Sequence, residues 1–123
     1  NKMKLRLEEY FLKIDEVIEK KNYFLNPGFT IEELATKLEI PKSHLNFLFK
    51  YHSETSFSDF KKVVRIKKAL ELIEDGYLKT NTFESLALKV GFTTYNTFYT
   101  SFKEVTGLAP QKYIDSNVNL VIA

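Results

Sequence analysis

Four residues near the middle of the chain, Ser43, Asn46, Phe47 and Lys50, stand at positions i, i+3, i+4 and i+7. On a helix this spacing draws them into one stripe. Hydroxyl and amide groups in a row can bond to flat polar edges, an ammonium can bind a phosphate, and an aromatic ring can meet a methyl group. The major groove of a duplex offers all of these partners and is wide enough to admit one helix. Lys42 stands just before the stripe, and a set of the same character recurs later as Tyr95, Asn96, Tyr99, Thr100 and Lys103. Other chemistry has little to work with. There is no Cys, and the two His residues, His44 and His52, are too few for a metal site and read as surface or satisfied helix residues. Glu32 and Glu84 read as first-turn acids favoured by the helix dipole rather than as a catalytic pair. Neither a nucleophile–base pair, a phosphate loop nor a zinc spacing is present. No catalytic residue, metal or cofactor is therefore assigned.

The stripes need helices to carry them. The chain has 123 residues, 44% of them apolar, which is enough for a core without covalent staples. Breakers are sparse, at Pro27-Gly28, Pro41, Gly76, Gly91, Gly107 and Pro110. Helical periodicity fills the segments between them, and no alternation is long enough for a sheet. Leu7, Phe11, Ile14, Val17 and Ile18 form the apolar stripe of a first helix. Thr30 with Glu33 is a capping box that opens a second helix, with Leu34, Ala35 and Leu38 inside. A third begins near Pro41 and Lys42 and buries Leu45, Leu48 and Phe49. Ser56 caps a long fourth helix carrying Phe57, Phe60, Val63, Val64, Ile66, Ala69, Leu70 and Ile73. Thr82 caps a fifth, Thr93 or Thr94 a sixth, and Pro110 opens a seventh. The expected class is all-α, with about seven helices.

The chain also repeats itself. Residues 30–40, TIEELATKLEI, and 82–92, TFESLALKVGF, are identical at five of eleven positions. With one inserted residue the match continues, pairing Leu45, Phe49, Lys50 and Phe60 with Phe98, Phe102, Lys103 and Tyr113. Each copy has the arithmetic of a helix-turn-helix, with a small residue, Ala35 or Ala87, where the second helix crosses the first. Gly91 makes the turn in the second copy; Glu39-Ile40-Pro41 makes it in the first. The expected organisation is an N-terminal helix at 1–25, a first unit at 26–55, a connecting helix at 56–76, a second unit at 77–116 and a tail at 117–123. The chain opens at Asn1-Lys2-Met3 and reads as a piece of a longer or processed protein.

Net charge is only +2, so its distribution matters more. Residues 41–68 hold seven basic and two acidic side chains, whereas residues 1–40 hold seven basic and eight acidic ones. Arg65 and Lys50 thus join Lys103 as expected phosphate contacts. A rigid connecting helix would hold the two readers about one DNA turn apart, roughly 34 Å. The first unit, with more positive charge beside it, is expected to anchor; the second, with little charge beyond Lys103, to bind more weakly or adjust to sequence. A helical protein-interaction module with the same fold but little DNA reading is the alternative.

The blocks TIEELATKLEIPKSHLNFLFK, FSDFKKVVRIKKALELI and TFESLALKVGFTTYNTFYTSFKEVTGLAPQKYI resemble the DNA-binding domain of AraC/XylS-type transcription regulators from about Ile14 to Ile114. The most specific matches are Ala87, Val90, Gly91, Phe92, Phe98, Phe102, Lys103, Thr106, Gly107, Pro110 and Tyr113. The resemblance implies a bipartite seven-helix module with recognition helices at about 42–52 and 94–105. It carries base-reading positions onto Lys42, Ser43, Asn46 and Phe47, and onto Tyr95, Asn96, Thr97 and Thr100. It implies double-stranded DNA and RNA polymerase as partners, a separate upstream sensor or dimerisation domain, and a bacterial cytoplasmic setting in which the full-length protein is free or membrane-tethered. The chain departs from the family where Phe47 and Thr100 replace a common Arg, which removes a bidentate guanine contact and leaves Phe47 able to meet a thymine methyl. Glu54 stands where Gly is usual.

Overall fold

The residues that interrupt helical periodicity lie at helix ends or in the turns between helices. The computed structural model describes residues 2–117, and the described backbone is all-helical. The helices are α1 Lys2–Lys20, α2 Ile31–Leu38, α3 Lys42–Tyr51, α4 Phe57–Glu74, α5 Phe83–Lys89, α6 Tyr95–Thr106 and α7 Pro110–Ser116. Short 3-10 turns at Tyr23–Leu25 and Tyr77–Lys79 occupy connections that periodicity alone left unassigned. Most of the expected tail lies outside the described residues. The chain divides into two compact units, Asn1–Lys61 and Lys62–Ala123, so the boundary falls inside α4.

Hydroxyl caps start four of the helices. Thr30, Ser56, Thr82 and Thr94 accept the N–H groups of Glu33, Asp59, Ser85 and Thr97 at 3.0–3.2 Å. Each cap satisfies one orphan donor, worth about 1 kcal/mol. Thr94 rather than Thr93 therefore starts α6, and Pro110 occupies the first turn of α7.

In the first unit α2 packs on α3, with Leu34, Leu45 and Leu48 fully buried. Aromatic rings close that core: Phe24 lies 5.1 Å from Phe29 and 5.7 Å from Phe60, and Phe49 lies 5.6 Å from Phe60. In the second unit α5 packs on α6 around Leu86, Val90, Phe98 and Phe102. Here Phe102 meets Tyr113 at 5.5 Å, the repeat partner of the Phe49–Phe60 contact. Ala35 and Ala87 are both buried, as close helix crossing requires. On α1 the inner face differs from expectation. Tyr10 is buried beside Ile14, while Phe11 is turned outward. Both residues fit the period relative to Ile14, and Tyr10 is selected by its partner on α3, described below.

The two helix-turn-helix turns use different residues for one backbone shape. Gly91 has φ 106°, and its repeat partner Glu39 has φ 56°, also left-handed. A side chain at such a position costs about 1–2 kcal/mol that Gly does not pay. The exits of the second helices differ more. Gly107, at φ 84°, ends α6 by bonding to the Lys103 carbonyl. In the first unit α3 ends at Tyr51, two residues earlier in the repeat register, because Glu54 does not take the left-handed conformation. Ser53 and Thr106 nonetheless make the same pair of bonds, each hydroxyl donating to the carbonyl two residues on and accepting that residue's N–H.

Candidate nucleic-acid interface

The face of α3 opposite Leu45, Leu48 and Phe49 is solvent-exposed and carries Lys42, Ser43, Asn46, Phe47 and Lys50. Phe47 is 41% exposed, an unusual place for a Phe, and its ring meets Tyr51 at 5.0 Å and His52 at 5.3 Å. The Lys50 ammonium lies over the Tyr51 ring at 5.2 Å. The Lys42 ammonium binds the Glu32 carboxylate at 2.7 Å, and this bond holds the Glu32 carboxyl below its ordinary pKa. Both partners are exposed, so Lys42 remains available to a competing anion.

His44 on α3 also meets α1. The Tyr10 hydroxyl lies 2.7 Å from His44 Nδ1, which gives that ring nitrogen a partner. A cavity of about 250 Å³ beside this bond is lined by Arg6, Leu7, Tyr10, Ser43, His44 and Phe47. Nothing in the helical period of α1 pointed to this neighbour, because the pairing joins residues 34 apart.

On α6, Asn96, Thr97, Tyr99, Thr100 and Lys103 are exposed, opposite buried Phe98 and Phe102. Thr97 is partly engaged, its hydroxyl 2.8 Å from that of the cap Thr94. Tyr95 is half-buried, with its ring 6.0 Å from Phe98 and 6.1 Å from Tyr99. Burial raises the pKa of its phenol, and the charges of Glu84 and Tyr99 add to the shift. Glu84 and Tyr95 thus repeat the placement of Glu32 and Lys42, with a phenol in place of the ammonium.

Arg65 is placed differently from the other expected phosphate contacts. It is expected among phosphate contacts because it lies in a basic run, but the residue is 7% exposed and its guanidinium sits 5.6 Å over the Phe92 ring. Burial lowers its pKa from the ordinary value. A cation enclosed beside an aromatic face supports packing. Its neighbours in the run are also engaged: Lys61 donates to the Phe29 carbonyl at 2.9 Å, and Lys68 reaches Glu71 at 3.5 Å. Much of the charge that the sequence places on the connecting helix is thereby used within the protein. Among the described residues no group of His, Cys, Asp or Glu could hold a metal ion.

The helix-turn-helix domain family matches residues 34–116, which span α3 through α7 and part of α2. The chain belongs to the AraC-type helix-turn-helix family. The relatives it matches are named as transcriptional regulatory proteins. The chain is 31% identical over 94 residues to the raffinose operon transcriptional regulatory protein RafR of Pediococcus pentosaceus, covering 76% of this chain and 32% of RafR. It is 23% identical over 111 residues to the transcriptional regulatory protein HptR of Staphylococcus aureus, covering 90% of this chain. The chain spans 42% of the length of HptR. Among solved structures, the C-terminal domain of AraT, a response regulator from Geobacillus stearothermophilus, matches with a TM-score of 0.64 at 25% identity, covering 94% of this chain and 86% of that one. The all-helical AraC-type fold is common to both. The domain is a DNA-binding one of the transcription-regulator class. The alternative of a protein-interaction module that has lost DNA reading is not favoured. No described helix is long and apolar enough to cross a membrane.

Proposed function

We propose that this domain binds duplex DNA sequence-specifically, with α3 and α6 entering adjacent major grooves, and so regulates transcription. One observation supports this most directly. The stripe 43, 46, 47, 50 on α3 and its repeat partner 96, 99, 100, 103 on α6 are both exposed, although each lies on the second helix of a unit whose other face is core. Two surfaces with the same placement and related chemistry suit two neighbouring stretches of groove. Lys42, Ser43, Asn46 and Phe47 read bases in the first half-site, and Tyr95, Asn96, Thr97 and Thr100 in the second; Lys50 and Lys103 bind phosphates. The residue blocks 26–55 and 77–116 act as the two readers, joined by the helix within 56–76. RNA polymerase and an upstream sensor or dimerisation domain complete the system, in the bacterial cytoplasm.

Fluorescence anisotropy with a duplex chosen by in vitro selection tests this reading. Binding should be tight, should weaken steeply with salt, and should exceed binding to random duplex by about 10³-fold or more. Equal affinity for selected and random duplex at every salt concentration would sink it.

A further inference from the structure

Tyr99 has the same place in the second unit that Asn46 has in the first. The repeat register that pairs Phe49 with Phe102 also pairs 43, 46, 47 and 50 with 96, 99, 100 and 103. Tyr99 is therefore the second member of the outward stripe on α6. It is 40% exposed, so part of its ring is open to a partner. Its ring lies 6.1 Å from that of Tyr95, tilted by 59°, and Tyr95 is in turn held against Phe98 in the core. The inner ring is fixed by packing, and the outer one leans on it. Together they form a firm apolar ledge beside Asn96 and Thr100. Each phenol carries a single hydroxyl, which can make one hydrogen bond but not the paired bonds that distinguish guanine, and the ring faces themselves are apolar. The base-edge group the ledge fits is the C5-methyl of thymine, the one apolar group displayed in the major groove.

We propose that Tyr99, braced by Tyr95, is a specificity-determining residue that reads a thymine methyl in the second half-site. This rests on the reading that α6 enters a major groove. Thymidine differs from deoxyuridine only by the methyl group, so the contact can be removed from the DNA without touching the protein. The experiment takes the selected duplex, replaces each thymidine singly by deoxyuridine, and measures affinity for the unaltered chain, Tyr99→Ala and Tyr99→Phe. At one position in the half-site whose preference Asn96→Ala relaxes, deoxyuridine should weaken the unaltered chain about fourfold, the worth of one buried methyl. Tyr99→Ala should bind the thymidine duplex correspondingly less well and be indifferent to that replacement. Tyr99→Phe should keep the sensitivity, because the ring makes the contact. Circular dichroism of both variants checks that they fold like the parent.

Indifference of the unaltered chain to deoxyuridine throughout that half-site overturns the proposal while leaving DNA reading intact. So does a Tyr99→Ala variant that keeps the sensitivity, or one that loses affinity equally on selected and random duplex. A chain that selects no sequence at all overturns both this proposal and the reading beneath it.

Discussion

The two units repeat one design, yet they differ in what they put on the surface. The first places Lys42, Asn46 and Lys50 on its exposed helix and closes its tight turn with Glu39 in a left-handed conformation. The second uses Gly91 at that turn, extends its helix to Gly107, and exposes Tyr99 and Thr100 where the first has Asn46 and Phe47. The backbone of the second unit is better served by its residues; the outer face of the first carries more charge. Core geometry is shared because packing demands the same volumes at the same positions. Outer faces are free of that demand, so they diverge with whatever they contact. The asymmetry fits an anchoring first unit and a second unit that adjusts to sequence, which is how the chain is proposed to divide its work.

The sharpest way to break the comparison is to remove one core and watch the other. Phe98 is fully buried at the centre of the second unit. Phe98→Ala should cost about 3–5 kcal/mol of stability there. If the units fold separately, denaturant unfolding followed by circular dichroism should split into two transitions, with the first unit's midpoint unchanged. A single transition shifted as a whole would show that α4 couples the two into one cooperative body.

Base reading offers the next largest effect. Asn46→Ala and Asn96→Ala should each reduce the preference for the selected site over variants at one position by about 1–3 kcal/mol, with less change on random duplex. Lys50→Ala should do the reverse, weakening all duplexes alike and reducing the slope of log affinity against log salt by about 0.9. Lys103→Ala tests the anchoring idea directly. A loss as large as that of Lys50→Ala would make the two units equal in electrostatic grip.

Arg65 separates charge that binds from charge that packs. Arg65→Ala should lower stability by about 1–2 kcal/mol through the lost ring contact and aliphatic stem. The salt slope should be unchanged, because the guanidinium faces Phe92 and not solvent. A slope reduced as in Lys50→Ala would return Arg65 to the interface.

The smallest effect concerns the turns. Glu39→Gly should stabilise the first unit by about 0.5–1 kcal/mol, since relief of the left-handed side-chain strain exceeds the added chain entropy of Gly. Thermal unfolding of the folded variant would show a small upward shift, and a downward one would mean the Glu39 side chain contributes more than its strain costs.

The repeat, the helix count and the caps were legible in the sequence because each depends on residues near one another along the chain. A Thr three residues before a helical N–H, or an apolar residue every third or fourth position, signals its structure locally. Arg65 was partly legible. It shares a helix face with Ala69 and Ile73, both buried, and that signal was outweighed by the Lys residues around it. Which of Tyr10 and Phe11 faces inward was not legible, since both fit the period.

What the sequence determined by itself was the duplicated helix-turn-helix plan and the outward placement of the two polar stripes, because helical period and core volume leave little choice. What only the tertiary structure decided was the use of individual side chains across long separations. His44 takes the hydroxyl of Tyr10, Phe92 takes the guanidinium of Arg65, and Tyr95 lies between the core and Tyr99. Such pairings depend on which faces meet once the helices pack, and a periodic pattern, being the same on every turn, carries no record of its partner.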